Sequence, residues 1–226
     1  AIAISREILT LYRPGLSWHF EVSPFALTEK IVDLWMLAPK DYFHLEIGVQ
    51  SLNPAALSAV NRQGDWQKAL PLVIKLIESP GCHVHLDLIA GLPEDTPRGF
   101  ADSFHQLHQL NADYLQFGFL KVLPASPLAA GAKELGLIYS EDPPYQVLAT
   151  AAMSPEYLFD LHRAERAFNA LYNKTKLYRK QLIDLAENNK DALSIYLQAA
   201  KLMPLRGLNP REAEQLVDQL IEQYEH

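Results

Sequence analysis

The sequence predicts an α/β protein in which a partial, TIM-like (βα) barrel is followed by a mostly helical domain. Three observations predict it: four short runs of strand-forming residues, helical patterns between those runs, and an almost wholly helical final third. A length of 226 residues suits one large domain or two small ones. We therefore expect a partial barrel in residues 1–125 and a helical accessory domain in residues 126–226.

The strand-like runs are separated by segments that are too long for hairpins. A hairpin needs about two to five linking residues, whereas a parallel crossover needs about a dozen or more and usually contains a helix. The alternation therefore predicts parallel strands joined by right-handed connections. The four predicted strands are residues 18–22, 44–50, 83–89 and 114–119.

Helix-start signals precede the linking segments. A capping side chain followed by proline, or by apolar residues at helical spacing, is typical of a first helical turn. Apolar residues then recur every three or four positions, and Pro71 is expected to kink the helix in which it lies. The start signals are Ser23–Pro24, Asn53–Pro54 and Thr96–Pro97, and Gly64–Asp65 is expected to break the chain before a further helix.

The two ends of the chain are also predicted to be helical. Residues 1–14 resemble the end of a helix with Ile4, Ile8 and Tyr12 grouped on one face. The segment after Pro124 is expected to contain, in order, a short helix at 128–135, a strand at 145–148 and helices that begin near residues 155 and 210.

Each predicted strand has one apolar and one strongly polar face, because successive side chains point to opposite sides. Strands of an open parallel sheet are apolar throughout, so this pattern favours a barrel whose polar lumen holds a ligand. An antiparallel sheet with one face in water is the alternative, and the long crossovers disfavour it. The polar face comprises His19, Glu21, His44, Glu46, Gly48, Gln50, His83, His85, Asp87, Gln116 and Gly118.

Composition excludes several classes of function. The formal charge of −7 disfavours a nucleic-acid partner, which needs a basic surface. No apolar run approaches the ~18 residues of a membrane span, and the first residues lack a signal-peptide pattern. The single cysteine, Cys82, excludes an internal disulfide and a multi-cysteine zinc site. We expect a cytoplasmic protein with no membrane or nucleic-acid partner.

The residues alone leave two other functions open. His83, His85 and Asp87 share one side of a strand, which would suit a divalent metal in a hydrolase barrel. The same histidines are also explained as hydrogen-bond partners of neighbouring carboxylates. Alternatively, the chain is a non-catalytic interaction module that docks a partner through the helical face of Leu216 and Leu220.

Three stretches of the sequence, taken together, resemble the radical S-adenosylmethionine (SAM) superfamily. They are Glu46–Ser51 (EIGVQS), Val60–Arg62 (VNR) and Leu86–Thr96 (LDLIAGLPEDT). The combination is similar to the branch that includes oxygen-independent coproporphyrinogen oxidases and cobalamin-dependent enzymes. The stretch Trp18–Ser23 (WHFEVS) and the helical tail most resemble the cobalamin-associated subgroup.

The resemblance implies a partial barrel of six βα units with a [4Fe–4S] cluster and SAM at the strand ends, where reductive cleavage of SAM gives a 5′-deoxyadenosyl radical. It implies that Glu21, Gln50, Arg62 and Asp87 contact SAM, and that the backbone at Gly91 approaches the adenine. The guanidinium of Arg62 suits the methionine carboxylate. The whole protein is then expected to act on a small-molecule substrate as an iron–sulfur oxidoreductase or methyltransferase.

The sequence departs from the family at the cluster. The CxxxCxxC loop is absent, Cys82 lies outside its place, and four strands are found where the family has six. We expect a fragment whose missing N-terminal part carries the cluster ligands and a cobalamin-binding domain, or else a homologue that has lost the cluster. The fragment is favoured because a degenerate enzyme should keep a complete barrel without an open edge. This chain alone is expected to hold no cluster and to dimerise through that edge.

Overall fold

The computed structural model describes residues 1–204 and 206–225, and its central feature is a four-stranded parallel sheet. The strands lie in the order β1-β2-β3-β4, which confirms the predicted α/β fold class and the parallel connections. Each predicted strand forms within one residue of its expected ends. The strands are β1 (Trp18–Val22), β2 (Phe43–Gln50), β3 (Cys82–Ala90) and β4 (Tyr114–Phe119), and a separate antiparallel pair consists of β5 (Ile138–Tyr139) and β6 (Val147–Ala149).

Helices fill the connections between strands and make up most of the last third of the chain. No helix among residues 1–204 and 206–225 is long and apolar enough to cross a membrane. A 3-10 turn at Pro24–Ala26 and a π-helical segment at Asn169–Asn173 accompany the α-helices. The α-helices are α1 (Ile2–Thr10), α2 (Glu29–Trp35), α3 (Pro54–Ala59), α4 (Trp66–Ile77), α5 (Pro97–Gln109), α6 (Pro127–Ala130), α7 (Pro155–Phe168), α8 (Arg179–Asn189), α9 (Ala192–Leu202) and α10 (Pro210–Glu225).

Two of the predicted helix starts are capped by the expected side chains, and Asp65 caps a third helix. Asn53 accepts a hydrogen bond from the N–H of Ala55 at the start of α3, and Asp65 does the same for Gln67 in α4. Thr96 accepts from the N–H of Gly99 at the start of α5. These bonds satisfy donors that have no partner within the helix. The helix α4 continues through Pro71 to Ile77.

The other start signal, Ser23–Pro24, opens only the 3-10 turn, so the predicted start of the first linking helix is wrong. The chain is extended at Leu27, whose side chain is buried in the core, and α2 begins after Thr28. The predicted helix at 128–135 is likewise shorter, because α6 gives way to turns that lead to Gly136, whose φ is 65°.

Two further elements differ in detail from the sequence pattern. In α1 the side chain of Ile8 is buried, but that of Ile4 is 61% exposed, so the apolar grouping predicted for residues 1–14 is incomplete. The strand predicted at 145–148 begins only at Val147, since Tyr145 adopts a left-handed conformation with φ of 59°.

The hydrophobic core is continuous across residue 125. The rings of Phe104 and Phe117 pack edge to face at 5.4 Å, and Phe104 packs in the same way on Phe168 at 5.1 Å. The helices after residue 125, which we call the helical region, are therefore packed directly on the apolar face of the four-stranded sheet, which we call the barrel portion. Leu216 and Leu220 belong to this core and are 4% and 0% exposed, so they are not the docking face that the interaction-module hypothesis requires.

The outer edge of β4 is closed by side chains of the helical region. The side chain of Asn173 accepts a hydrogen bond from the N–H of Leu115 at 3.3 Å and donates one to its carbonyl at 2.7 Å. The buried guanidinium of Arg179 donates to the carbonyls of Ala112 and Asp113, just before β4, at 2.7 and 3.1 Å. These contacts satisfy backbone groups that another strand would otherwise pair.

Candidate functional site

A cavity of about 280 Å³ lies toward the carboxyl ends of β1, β2 and β3, and we call it the strand-end cavity. Ligands of open parallel α/β sheets bind at this edge, so it is the candidate functional site. It brings together four of the five residues that the sequence assigns to a ligand. Its lining residues are Glu21, Val22, Ser23, Glu46, Gly48, Gln50, Arg62 and Asp87.

The register of the strands explains why these side chains meet. Glu21 in β1 is paired with Glu46 in β2, and Gly48 in β2 is paired with Asp87 in β3. Because alternate residues share a face, the three carboxylates project from the same side of the sheet. The register shifts between Gly48 and Gln50, and Gln50 has a positive φ of 70°, so the end of β2 turns at the cavity.

Arg62 reaches the cavity from the turn that follows α3. Its Nη1 donates a hydrogen bond of 2.8 Å to the carbonyl oxygen of Gly48. A Cβ built on Gly48 would lie 2.7 Å from Nε2 of Gln50 and 3.6 Å from Nη1 of Arg62. The missing side chain at Gly48 therefore makes the space in which Gln50 and Arg62 lie over β2. The other N–H groups of Arg62 suit two-pronged binding of a carboxylate.

Asp87 and His85 face each other on β3. Oδ1 of Asp87 lies 3.1 Å from Nε2 of His85, but the angles between the two groups are unsuitable for a hydrogen bond. Both atoms are buried without a hydrogen-bond partner among the described residues. A buried polar atom in this state is costly unless a ligand or water satisfies it. A ligand hydroxyl at the strand-end cavity would be a suitable partner for Asp87.

A second cavity, of about 330 Å³, lies toward the amino ends of the strands on the same face, and we call it the histidine-lined lumen. The rings of His44 and His83 lie 5.2 Å apart there, and Nε2 of His19 lies 3.3 Å from a carboxylate oxygen of Glu46. Burial lowers the pKa of His83, and the charge of Asp113 opposes this shift. The lining residues are His19, His44, Leu45, His83, His85, Tyr114 and Gln116.

His83, His85 and Asp87 do not converge as a set of metal ligands. Nδ1 of His83 lies 3.6 Å from Oδ1 of Asp113, whereas His85 is turned toward Asp87. Across residues 1–204 and 206–225 no group of three His, Cys, Asp or Glu side chains is arranged to hold a metal ion. Each histidine instead lies next to one carboxylate, as the simpler interpretation predicts, but without the hydrogen bond that it expects.

Gly91, the fifth residue assigned from the sequence, does not line the strand-end cavity. It has a φ of 82°, which favours glycine, and a Cβ there would lie 3.5 Å from Cγ1 of Val147. It therefore forms the left-handed turn after β3. The approach of its backbone to a ligand stays a prediction.

A buried polar cluster beside the cavity was not assigned a role from the sequence. Asp95 is fully buried and accepts a hydrogen bond from the N–H of Thr96 at 3.0 Å, with Asn53 and Ser51 donating at 3.4 Å each. Burial raises the pKa of Asp95, and these hydrogen bonds oppose the shift. The cluster ties the loop after β3 to the loop that directly follows Gln50. Its only sequence signal is that Ser51 and Asp95 fall within the stretches that carry the family resemblance.

Cys82 does not suit a metal or cluster site. It is a buried free cysteine at the amino end of β3, away from the strand-end cavity. Burial raises the pKa of its thiol to about 11, with a smaller opposing contribution from Ser79. Because iron–sulfur clusters bind thiolates, a protonated, buried thiol is a poor ligand. The structure confirms the prediction that Cys82 is a core residue.

Sequence comparisons link the chain to known proteins. Residues 133–221 match a domain family described as a protein of unknown function (DUF4080). A tRNA-2-methylthio-N(6)-dimethylallyladenosine synthase from Psychrobacter cryohalolentis is 29% identical over 107 residues, 47% of this chain and 22% of that enzyme. The oxygen-independent coproporphyrinogen III oxidase of Escherichia coli is 32% identical over 95 residues, 42% of this chain and 20% of that enzyme. The matches thus span about a fifth of the length of these relatives.

Solved structures extend the similarity to the fold. The radical SAM methyltransferase TsrM from Kitasatospora setae, solved with cobalamin and a [4Fe-4S] cluster bound, has a TM-score of 0.56 and 14% identity over 99% of this chain and 49% of its own. The E. coli coproporphyrinogen III oxidase (HemN), described as a radical SAM enzyme, has a TM-score of 0.47 and 22% identity over 74% of this chain and 43% of its own. The likeness to TsrM shows a shared fold along nearly the whole chain.

The matching stretches around β2 and β3, the curated relatives and the shared fold agree with one another. Together they show that the parallel sheet shares its fold with the corresponding part of TsrM. The chain is therefore similar to radical SAM enzymes in part of its sequence and in its fold.

Proposed function

We propose that this chain is the C-terminal segment of a radical SAM enzyme and that its strand-end cavity forms part of the SAM pocket. The main support for the proposal is that one cavity is lined by Glu21, Gln50, Arg62 and Asp87. These residues come from three strands and a turn, and their side chains converge only through the parallel fold. They are also the four positions that the family resemblance assigns to SAM.

The chemical groups of the cavity match those of SAM. The guanidinium of Arg62 suits the carboxylate of the methionine part, and the carboxylate of Glu21 suits its amino group. The side-chain oxygens of Gln50 and Asp87 can accept hydrogen bonds from ribose hydroxyls. Gly48 leaves the space that a side chain would otherwise take. When bound, SAM supplies the radical chemistry of this superfamily.

The cluster of the family does not fit the residues of this chain. A [4Fe–4S] cluster takes several thiolates, whereas the sequence has one cysteine, and Cys82 is buried and protonated. We place the cluster ligands in another part of the protein, outside this sequence, that completes the barrel beside β1. The chain spans about half the length of TsrM, whose structure holds cobalamin, and cobalamin is part of the proposal for the whole protein.

The substrate is proposed to be a small molecule that enters the histidine-lined lumen. The contacts of His85 with Asp87 and of His19 with Glu46 join this lumen to the strand-end cavity. Burial lowers the pKa of His83, so its ring is neutral at about pH 7 and one ring nitrogen can accept a substrate proton. The reaction of the whole protein is an oxidation or a methyl transfer. The cytoplasm remains the proposed location of the whole protein.

A SAM titration followed by NMR tests the pocket. We expect SAM to shift backbone amides around the strand-end cavity, with weak affinity because the pocket is incomplete. Replacing Arg62 with alanine should weaken binding about tenfold, since it removes the partner of the carboxylate. The matched control is Arg98→Ala, which removes an arginine that is exposed on α5. Shifts elsewhere in the chain, or equal affinities for the two variants, would contradict the proposal.

Anaerobic reconstitution with iron and sulfide tests the position of the cluster ligands. We expect this chain to take up no [4Fe–4S] cluster, because only a buried thiol is present. Stoichiometric cluster uptake would contradict the fragment hypothesis.

Sedimentation of the same sample tests the further prediction that the chain alone dimerises through the free edge of β1. A monomer at all concentrations would count against this prediction.

A further inference from the structure

A cleft of about 700 Å³ lies in the helical region, between the end of α7, the segment that precedes α8 and the loop from α9 to α10. We call it the helical cleft. It shares no lining residue with the strand-end cavity, and every lining residue except Tyr114 falls within residues 133–221, which match the family of unknown function. Its volume lies in the range of small-molecule sites, which is about 300–1,000 Å³.

The lining of the helical cleft is positively charged although the chain as a whole is acidic. Arg166, Lys174 and Arg206 line it together with one carboxylate, Glu165, in a chain of formal charge −7. Glu165 accepts a hydrogen bond from the side chain of Asn169. Because Arg206 is paired with Glu212, the excess of positive charge is small, but it still favours anions, and the partly enclosed walls of the cleft strengthen the effect.

Lys174 is the cation best placed to bind a ligand. Arg206 forms an ion pair with Glu212, and Glu212 also caps α10 by accepting the N–H of Asn209. Lys174, in contrast, makes no ion pair at contact distance in the part of the chain that the structure describes, and its charge only partly opposes the burial that raises the pKa of Glu165. An ammonium group without a partner at the rim of a cleft can pair with a carboxylate or a phosphate.

The helical cleft also offers an apolar surface. Leu177 lines the cleft and is 77% exposed, so most of its apolar surface is open to a ligand. Met203 and Leu208 line it from the α9–α10 loop, and both are partly buried against the core. The cleft thus combines a cationic group with an apolar wall, as expected for a site that binds an amphipathic molecule.

We propose that the helical cleft binds a small amphipathic anion, with its carboxylate or phosphate at Lys174 and its apolar body against Leu177, Met203 and Leu208. The proposal does not rest on SAM binding. Tyr114 lines both the helical cleft and the histidine-lined lumen, and its hydroxyl donates to Oδ1 of Asn169 at 3.3 Å. A ligand in the cleft therefore contacts a wall of the barrel.

NMR titrations of the 226-residue chain test this site. The probes are octanoate and octyl phosphate, with inorganic phosphate and octylammonium as comparisons. We expect saturable shifts of amides around the cleft, such as those of Thr175 and Gly207, with octanoate, octyl phosphate or both. The anion that binds identifies the preferred head group. We expect inorganic phosphate and octylammonium to bind at least about tenfold more weakly.

Variants separate the two parts of the site. Lys174→Gln should weaken anion binding about tenfold, whereas Lys180→Gln should not, since Lys180 is exposed outside the cleft and pairs with Asp184. Leu177→Ser should also weaken binding, and Ile138→Ser, at another exposed position, should leave it unchanged. The proposal is overturned if neither anion shows saturable binding, if octylammonium or phosphate binds as tightly, or if Lys174→Gln binds like Lys180→Gln.

Discussion

The two edges of the four-stranded sheet are built differently. The outer edge of β4 is covered by the helical region, where the Asn173 amide and the Arg179 guanidinium bind backbone groups in and just before the strand. The outer edge of β1 has no strand partner in the part of the chain that the structure describes. A free edge is a site at which another strand can add.

The closed edge at β4 belongs to the part of the molecule that stabilises the fold, whereas the free edge at β1 belongs to the part that is proposed to bind the ligand. The closed side carries the aromatic core of Phe104, Phe117 and Phe168, which the helical region shares with the barrel portion. The strand-end cavity lies on the other side, between β1 and β3, and one of its walls is the free-edge strand itself. Residues of the closed side should therefore control folding, whereas residues near β1 should control ligand binding with little effect on folding.

The largest expected effect is a pH dependence that originates on the closed side. Burial lowers the pKa of His108 to about 3, well below its usual value near 6.5, while its Nε2 contacts the hydroxyl of Tyr196 at 2.8 Å. On unfolding, this histidine takes up a proton at any pH between the two values, so stability falls as the pH drops. Between about pH 7 and pH 4 we expect a loss of about 3 kcal/mol from this residue.

Urea unfolding at both pH values measures this loss. The matched variant is His108→Gln, which keeps a polar side chain but cannot titrate. Its free energy of unfolding should fall less steeply with acidification than that of the unmodified chain. The same slope in both proteins would show that His108 is not protonated on unfolding and would contradict the prediction.

The second prediction compares the two edges directly. Asn173→Ala leaves the N–H and the carbonyl of Leu115 without partners in a buried place, and we expect it to lower the free energy of unfolding by about 2 kcal/mol. His19→Ala at the exposed edge of β1 removes only a contact with Glu46, and we expect a change within about 0.5 kcal/mol. Urea unfolding at neutral pH measures both, and equal losses would refute the comparison.

A small effect on stability, but a clear effect on binding, is expected at the strand-end cavity. In Gly48→Ala the new methyl group would displace the Gln50 amide, a movable side-chain end, and would crowd Arg62. We expect SAM binding to weaken about tenfold while the free energy of unfolding changes by less than about 1 kcal/mol. NMR titration and urea unfolding of the same sample test this, and a variant that binds SAM normally would show that Gly48 is not part of the pocket.

The parts of the fold that follow from short-range chemistry could be predicted from the sequence. The alternation in residues 83–89 fixes which side chains share a face, and the caps Asn53 and Thr96 mark helix starts. Glu21 and Asp87 meet because parallel strands in register bring alternate residues together, whereas Gln50 reaches them after the register shift at the end of β2. The family resemblance was needed to choose them among the other polar residues of that face.

Features that depend on contacts between distant segments could not be predicted. Asn173 lies in an apolar helical stretch, and nothing in its local sequence indicates that it binds Leu115, which is 58 residues earlier. Leu216 and Leu220 form an apolar stripe that suits a docking face as well as a core, and only packing decides between them. The 3-10 turn before α2 likewise depends on the burial of Leu27 rather than on the cap signal at Ser23.

The hydrogen bonds between the Asn173 side chain and the Leu115 backbone make the Leu115 amide a probe of the contact between the helical region and the sheet. Amides in the middle of a sheet exchange with deuterium only when strands separate, but the Leu115 N–H is held by a side chain of another region. Its proton can exchange once the π-helical segment lifts away, while β2, β3 and β4 stay together. The exchange rate of this single amide therefore measures how firmly the helical region is clamped to the barrel.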